Sequence, residues 1–471
     1  MKYDYHLIVL GAGSAGLTVA AGSSTLGAKV ALIEKGKMGG DCLNYGCVPS
    51  KSFLRSAHLA HDIKNADAFG LSAQLGDMDL KKVMQRVAGV IAEIEPHDSK
   101  ERFESLGVNV FLGDATVVDA HTVTLNGKTL TAKNLVIATG SEPYIPGIPG
   151  LDQVNYHTNK TIFGEERIPK RLLVIGGGPI GVELGQGFRH LGADVTIFEK
   201  ADSLFRKDEP EVWPLMQRVL QNDGIELELS TQVVSARQDD DVITLTLERN
   251  GERHEITGDM LLVAAGRTPN SRGFGLEQLG INMDDRGYIR TNARMQTNVK
   301  NVFAAGDVTG PYLFTHMAGY QGGKVIPNAI LKVPQKAAYS QVPWTTYTKP
   351  EVAHIGYTEA QAKTDGLFGE QLFLDLADND RAKAESDKQG FLKLVLDKKG
   401  RVIGATLVGN KAGDIIPVAS LVIAKKLKVG AFASIIYSYP TEAEIFQRAA
   451  LNKMKDSFKP WMKTLIRKLF L

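Results

Sequence analysis

The sequence predicts an α/β protein with two dinucleotide-binding domains, and three observations lead to this prediction. A glycine-rich turn between a strand and a helix occurs twice in the 471 residues, and both times an acidic residue lies 23 positions after the first glycine. Each copy closes with an apolar strand and a glycine, at 135–140 and at 261–266. Both cysteines of the chain lie in one short segment between the two turns. The repeat indicates an internal duplication.

The first copy has its elements in the order that a Rossmann-like unit requires. A β-prone run at 5–10 precedes the turn, a helical pattern extends to about Leu26, and a strand at 30–33 ends at an acid. The glycines let the backbone approach a pyrophosphate at the helix N-terminus, and the acid accepts hydrogen bonds from a ribose. The candidate binding residues are Gly11, Gly13, Ser14, Gly16 and Glu34.

The second copy repeats this order with strands at 171–175 and 195–198. Its candidate binding residues are Gly176, Gly178, Gly181 and Glu199. A carboxylate at the end of the second strand suits a free ribose hydroxyl and repels a 2′-phosphate, so the sequence predicts NADH in preference to NADPH. The alternative is two such folds of which only one holds a nucleotide.

Composition and charge exclude several other classes of protein. A net charge of +2 with 23% charged residues argues against a nucleic-acid partner. Two cysteines in a chain of this length argue against a disulfide-stapled secreted protein. No apolar run approaches the length of a membrane span, and the apolar region 7–21 has glycines at turn spacing instead of a signal-peptide pattern. A cytoplasmic protein is therefore expected.

The segment with both cysteines, Cys42 and Cys47, predicts redox chemistry. Adjacent glycines and a following Pro49 indicate a sharp turn that opens a helix. Such a turn places Cys47 near a helix N-terminus, where the dipole stabilises a thiolate. The C-x-x-x-x-C spacing is not a standard zinc spacing, and no metal site is predicted. Two ordinary buried thiols are the alternative.

With these motifs the chain resembles the FAD-dependent pyridine nucleotide–disulfide oxidoreductases, in particular their dihydrolipoamide dehydrogenase and mercuric reductase branch. The segments 266–270 and 302–309 also resemble motifs of that family. The resemblance implies FAD in the first site and NAD(H) in the second. It also implies a homodimer in which both subunits contribute to each active site, and a small-molecule substrate. It adds further cofactor residues: Gly40, Thr139, Gly140, Asp307 and His316 for FAD, and Gly266 for NAD. As an isolated residue, His316 is equally well explained by packing.

The resemblance also implies catalytic roles. Cys47 lies near the flavin, and Cys42 meets the substrate. Lys51 pairs with Glu183 and stabilises the negative charge of a reduced flavin, as does the N-terminus of a helix that begins near His316.

The family organisation implies a discontinuous first domain. The FAD-binding domain comprises 1–150 and 271–341, the NAD-binding domain comprises 151–270, and a C-terminal α+β dimerisation domain comprises 342–455. A strand at 391–396 and a helix at 415–425 support the last assignment.

One position departs from the family pattern. Disulfide-reducing members have a His-Pro followed by Glu, whereas this chain has Tyr439, Pro440 and Glu444, and no histidine follows His354. A neutral phenol is a poor base near neutral pH. A dithiol–disulfide oxidoreductase remains the leading prediction, with Tyr439 and Glu444 as candidate catalytic residues. The alternatives are a flavin reductase that acts on a metal ion or a quinone, and a non-enzymatic redox sensor.

The C-terminal tail, 456–471, is basic and amphipathic. One helical face holds Phe458, Trp461, Leu465 and Leu469, and the basic residues Lys463, Arg467 and Lys468 lie elsewhere. This pattern is typical of a helix that makes weak contact with an anionic membrane surface. Docking on the protein's own dimer is the favoured alternative.

Overall fold

The computed structural model describes residues 2–458 and 460–470, and the chain divides into two compact units. The first unit comprises Met1–Asp202 and Asp223–Ala338, and the second comprises Ser203–Asn222 and Tyr339–Leu471, as far as these residues are described. The segment 203–222 lies inside the range predicted for the NAD-binding domain, so the units and the predicted domain bounds differ there.

Runs of strands and runs of helices follow one another along the chain. The strands are β1 Tyr5–Leu10, β2 Val30–Glu34, β3 Asn109–Leu112, β4 Ala115–Asp119, β5 Thr122–Leu125, β6 Lys128–Ile137, β7 Ser141–Pro143, β8 Arg171–Ile175, β9 Asp194–Glu199, β10 Ile225–Leu229, β11 Gln232–Asp239, β12 Val242–Arg249, β13 Glu252–Gly258, β14 Met260–Val263, β15 Arg267–Pro269, β16 Val302–Ala304, β17 Pro343–Thr346, β18 Glu351–Gly356, β19 Phe368–Asp375, β20 Phe391–Asp397 and β21 Val402–Gly409. The helices are α1 Ser14–Thr25, α2 Gly40–Asn44, α3 Cys47–Lys64, α4 Leu80–Ile94, α5 Lys100–Ser105, α6 Pro179–His190, α7 Val212–Asn222, α8 Thr315–Ile326, α9 Glu359–Thr364, α10 Asp380–Ala384, α11 Ala412–Ile415, α12 Pro417–Ala424, α13 Glu444–Ser457 and α14 Pro460–Phe470.

Two Rossmann-like sheets form the framework of the first unit. Strands β3-β2-β1-β6 are parallel and continue through β16 on one side, while β4 and β5 add an antiparallel extension. Strands β10-β9-β8-β14 form the second parallel sheet. The residues 7–10 of β1 are all buried, as expected for a parallel strand covered on both faces.

The same glycine contact joins helix and strand in both copies. A Cβ on Gly16 would lie 1.8 Å from the carbonyl oxygen of Gly11, and a Cβ on Gly181 would lie 2.0 Å from that of Gly176. No larger residue fits at either position, because the first turn of the helix rests directly on the strand end. The predicted α/β fold with two Rossmann-like domains is confirmed.

The second unit is built on an antiparallel sheet. Its strand order is β17-β18-β21-β20-β19, and one face packs against helices α11 to α13. The predicted strand at 391–396 is present as β20. The predicted helix at 415–425 is divided, because α11 ends at Ile415 and Pro417 occupies the first turn of α12, where its missing N–H is tolerated. Within the described part of the chain, no helix is both long and apolar enough to cross a bilayer.

A buried ionic cluster holds the two chain segments of the second unit together. The Lys393 ammonium on β20 lies 3.0 Å from Glu209 and 2.8 Å from Glu211, both in the segment 203–222. It also lies 2.8 Å from Glu359 at the start of α9. The Lys393 side chain is 1% exposed, and that of Glu209 is fully buried. Removal of this lysine would leave buried carboxylates without their counter-charge.

We expect Lys393→Met to lower the free energy of unfolding by about 3–5 kcal/mol, the usual cost of breaking a buried ion pair from one side. The measurement is the midpoint of chemical unfolding, followed by circular dichroism. Lys453→Met is the matched control, because Lys453 pairs with Glu370 at a half-exposed position. The control should lose less than about 1 kcal/mol. Equal losses in the two variants would contradict a special role for the buried cluster.

Candidate active site

The first glycine turn forms a binding surface for a dinucleotide. Helix α1 begins after Gly13 without a side-chain cap, so its first backbone N–H groups are directed to the space before the helix. A Cβ on Gly40 would lie 2.7 Å from the Cα of Gly13, so the segment before Cys42 lies directly against this turn. The Glu34 carboxylate closes the other side and accepts 2.6 Å hydrogen bonds from the N–H groups of Ala12 and Gly36. These features fit the pyrophosphate and ribose of a dinucleotide.

The second glycine turn has the same arrangement. Helix α6 begins after Gly178 without a side-chain cap. The Glu199 carboxylate accepts 2.9 Å hydrogen bonds from the N–H groups of Gly177 and Ala201. The site is therefore shaped like the first one and fits a second dinucleotide.

The two cysteines occupy successive short elements. Cys42 lies on α2, and Cys47 is the first residue of α3, as the glycine pattern predicts. The Cys47 Sγ lies 3.4 Å from the hydroxyl of Thr315, the first residue of α8. Hydrogen bonding from Cys42, then from Thr315, together with the charge of Lys51, lowers the pKa of Cys47 to about 6. The hydrogen bond to Cys47, together with burial, raises the pKa of Cys42 well above its usual value. At neutral pH the reduced pair therefore holds one thiolate, at Cys47.

A lysine–glutamate pair lies next to the thiolate. The Lys51 ammonium, one turn after Cys47 on α3, is 2.7 Å from the Glu183 carboxylate on α6. The Glu183 side chain is 6% exposed, whereas that of Lys51 is 37% exposed and reaches the surface of the site. The pair joins the helix that carries Cys47 to the helix of the second nucleotide turn.

Residues from both nucleotide-binding halves meet where the chain crosses between them. Thr139 donates a 2.5 Å hydrogen bond to the carbonyl of Asn270, whose own N–H bonds to the carbonyl of Gly140. Gly140 and Gly266 have φ of +69° and +133°, a region that favours glycine. Strands β7 and β15 pair in this crossing. The structure thus brings the predicted residues Thr139, Gly140 and Gly266 into one neighbourhood.

Sequence reasoning missed an arginine that organises the acids of the site. Arg267 Nη2 lies 3.2 Å from the Asp41 carboxylate, and its Nε donates a 2.7 Å hydrogen bond to the Ser141 hydroxyl. Ser141 in turn donates a 2.7 Å hydrogen bond to Asp307, whose pKa is raised by burial. Arg267 therefore balances the charge of Asp41 beside Cys42. Its position in the motif at 266–270 was the available signal.

His316 is the second residue of α8, and its ring stacks on Phe314 with 5.3 Å between centroids. The predicted helix start is thus present at Thr315. Contact of His316 with flavin stays a prediction.

The residues in place of the family His–Glu pair lie in the second unit. Tyr439 is 73% exposed and donates a 3.2 Å hydrogen bond to Asp380, which raises the pKa of the phenol. Glu444 accepts a 3.0 Å hydrogen bond from the N–H of Thr441 and does not bond to Tyr439 in the described contacts. The phenol is therefore neutral at pH 7.

Glu442 is an acid that the sequence did not single out. It is 4% exposed, and its Oε2 has no hydrogen-bond partner among the residues that the structure describes. Burial, followed by the charges of Asp387 and Glu385, raises the pKa of Glu442 to about 7. This places a group that titrates near neutral pH three residues after Tyr439.

Comparisons with known proteins agree with this geometry. The family model described as pyridine nucleotide-disulphide oxidoreductase matches residues 5–330, and the model of that family's dimerisation domain matches residues 342–450. The chain belongs to the pyridine nucleotide-disulphide oxidoreductase family. Members are oxidoreductases that act on disulfide or other sulfur groups and use FAD and NAD(P)H, and the dimerisation domain indicates a homodimer.

The chain is similar in sequence or structure to several known proteins. The chain is 36% identical to a mercuric reductase of Bacillus cereus, over 97% of this chain and 73% of the relative. It is also 36% identical to a dihydrolipoyl dehydrogenase of Geobacillus stearothermophilus, over 95% of this chain and 96% of the relative. The HOCl-induced flavoprotein disulfide reductase RclA from Escherichia coli superposes with a TM-score of 0.84 at 25% identity, over 94% of this chain and 99% of that one.

We expect Lys51→Met to raise the pKa of Cys47 by about 1, because the lysine charge favours the thiolate. The measurement is the rate of Cys47 alkylation by iodoacetamide against pH in the reduced protein, resolved by mass spectrometry. The wild-type midpoint should lie near pH 6. Arg55→Met, which removes a positive charge from an exposed position on the same helix, is the control and should leave the midpoint unchanged. A wild-type midpoint near the ordinary thiol value of about 8.5 would contradict the assignment.

Proposed function

We propose that this protein is an FAD-containing, NADH-linked dithiol–disulfide oxidoreductase of the dihydrolipoyl dehydrogenase type, with Cys42 and Cys47 as its redox couple. The observation that supports it best is that the two cysteines beside Lys51 and Glu183 have opposite pKa shifts, with a thiolate favoured at Cys47 and a protonated thiol at Cys42. We assign the first glycine turn to FAD and the second to NAD(H). FAD, when bound, supplies two-electron transfer between the nicotinamide and the cysteine pair.

In this proposal each residue has a defined task. A substrate thiolate attacks Cys42 Sγ of the disulfide and releases Cys47 as a thiolate, which its low pKa and the nearby Lys51 favour. The second substrate sulfur then displaces Cys42, so the substrate leaves as a disulfide and the cysteine pair has gained two electrons. Lys51, held by Glu183, keeps a positive charge at the site. Arg267 and Ser141 hold Asp41 and Asp307 in place.

The choice of nucleotide follows from Glu199. Its carboxylate already accepts two backbone hydrogen bonds, which fixes the negative charge where the 2′ position of an adenosine ribose would lie. A 2′-phosphate would be repelled there. We therefore propose a preference for NADH.

The proton acceptor is the point at which this chain differs from disulfide-reducing relatives. In the proposed homodimer each active site is completed by the partner subunit, which presents Tyr439 and Glu444. Because the phenol is neutral and bonded to Asp380, thiol deprotonation is slow, unless another group such as Glu442 takes the proton. The similarity to mercuric reductases supports a second candidate, the reduction of a metal ion by the same dithiol.

The deciding measurement is dihydrolipoamide-dependent NAD⁺ reduction by the purified holoenzyme. We expect measurable turnover in the wild type and an increase of at least about tenfold in Tyr439→His, because a histidine restores a base that titrates near neutral pH. Tyr439→Phe is the matched control and should equal the wild type. The same assay with NADP⁺ in place of NAD⁺ should be at least about tenfold slower, since the 2′-phosphate is repelled.

Absence of turnover in both the wild type and Tyr439→His, with flavin still reduced by NADH, would overturn the dithiol substrate. Mercuric ion would then be the acceptor to test. Failure of NADH to reduce the flavin would overturn the nucleotide assignment itself.

We also propose a weak contact between the tail and an anionic membrane surface. Helix α14 presents Trp461 and Leu469 at 61% exposure each, with Leu465 at 46% between them, and Arg467 and Lys468 lie in the same last turns. Lys459 and Leu471 lie outside the described residues, as does the side chain of Lys463. Exposed apolar side chains with flanking cations favour adsorption to anionic lipid.

The full chain should co-sediment with vesicles that contain anionic lipid, and a version that ends at Ser457 should not. Neutral vesicles are the control and should bind less, because they lack electrostatic attraction. Equal sedimentation of the two proteins would support docking of the tail on the dimer instead.

A further inference from the structure

Three side chains that are far apart in sequence meet at the ends of α3 and α6. His61 lies in the last turn of α3, His190 is the last residue of α6, and Asp223 lies in the loop before β10. One ligand atom from each lies within 4.8 Å of the other two. All three belong to the first unit.

The distances suit a tetrahedral metal ion. His190 Nε2 lies 3.2 Å from Asp223 Oδ2, and His61 Nε2 lies 3.8 Å from Asp223 Oδ1. Ligand atoms around a Zn²⁺ ion with bonds of about 2.0–2.1 Å are about 3.3 Å apart. The two histidines approach different oxygens of the carboxylate, and the three ligand atoms lie within 4.8 Å of one another, so shifts of up to about 1.5 Å bring the set to this spacing.

The side chains of the cluster are largely buried, and a hydrogen bond from a neighbouring residue orients the carboxylate. The His190 side chain is 2% exposed, and that of Asp223 is 15% exposed. Gln186, which is fully buried on α6, donates a 2.8 Å hydrogen bond to Asp223 Oδ2 and orients the carboxylate.

An entry path and an open position are also present. The His61 side chain is 28% exposed, so the cluster reaches solvent on one side. The amide of Asn65, which is exposed, lies 3.2 Å from His61 Nε2 and would move aside when an ion binds. Three protein ligands with solvent in the fourth position are a common arrangement for zinc.

We infer that His61, His190 and Asp223 form a site for a divalent metal ion of the zinc type, separate from the cysteine pair. Two imidazoles and one carboxylate favour Zn²⁺ over Mg²⁺ or Ca²⁺, which prefer oxygen ligands alone. An ion there would link the C-terminal ends of α3 and α6. These two helices also carry Cys47, Lys51 and Glu183, and the site lies on the order of 20 Å from Cys47 along α3.

Titration of Zn²⁺ into the oxidised, FAD-loaded full chain tests this inference, with calorimetry as the readout. Oxidation to the disulfide keeps Cys42 and Cys47 from binding the ion. The wild type should bind one ion per chain, and His61→Ala and Asp223→Asn should each weaken binding at least about tenfold. His254→Ala is the control, because His254 is exposed on β13 and remote in sequence from the cluster, and it should bind as the wild type does.

A second readout guards against a variant that folds poorly. Zn²⁺ should raise the midpoint of thermal unfolding of the wild type and of His254→Ala, because a ligand that binds only the native state stabilises it. It should not raise that of His61→Ala, whose midpoint without zinc should match the wild type since the side chain is partly exposed. Absence of stoichiometric binding, or equal binding by the wild type and His61→Ala, would overturn the site.

Discussion

The close packing of α3 on α6 is the constraint on which the candidate active site depends. Gly187 makes it possible, since a Cβ at this position would lie 2.4 Å from the Phe53 ring. Phe53 and Phe188 then pack with 4.9 Å between ring centroids, and both are fully buried. Because the two helices are held at this distance, Lys51 meets Glu183 at one end and His61 meets His190 at the other.

This packing also joins two duplicated halves that would otherwise be separate nucleotide-binding units. Helix α3 follows the first glycine turn and carries Cys47, whereas α6 is the helix of the second turn. The Lys51–Glu183 pair is thus a contact between the two halves. Because Glu183 already holds the Lys51 ammonium in place, this charge loses little freedom when the site binds its cofactors, which is the physical advantage of a preorganised site.

Electrostatics gives the two cysteine thiols different pKa values, although their side chains are chemically identical. A shared hydrogen bond favours one thiolate and one thiol, and Lys51 and Thr315 decide that Cys47 is the thiolate. Asp41 would oppose a negative charge here, but Arg267 balances it. In the second unit the surroundings also set the charge of each group. The exposed Tyr439 phenol is neutral at pH 7, and burial raises the pKa of the Glu442 carboxyl to about 7.

The sequence alone determined the parts of the structure that rest on local order. Strand, turn, helix and acid occur in the same order in both copies, and Gly16 and Gly181 are required because a helix turn rests on a strand end. The start of α3 at Cys47 is local as well, since a turn and Pro49 define it. Only tertiary structure decided the contacts between distant residues, such as Arg267 with Asp41 and His61 with Asp223. It also decided that Lys393 would hold Glu209. These pairs have no periodic signal, because their separation along the chain is unrelated to the geometry that brings them together.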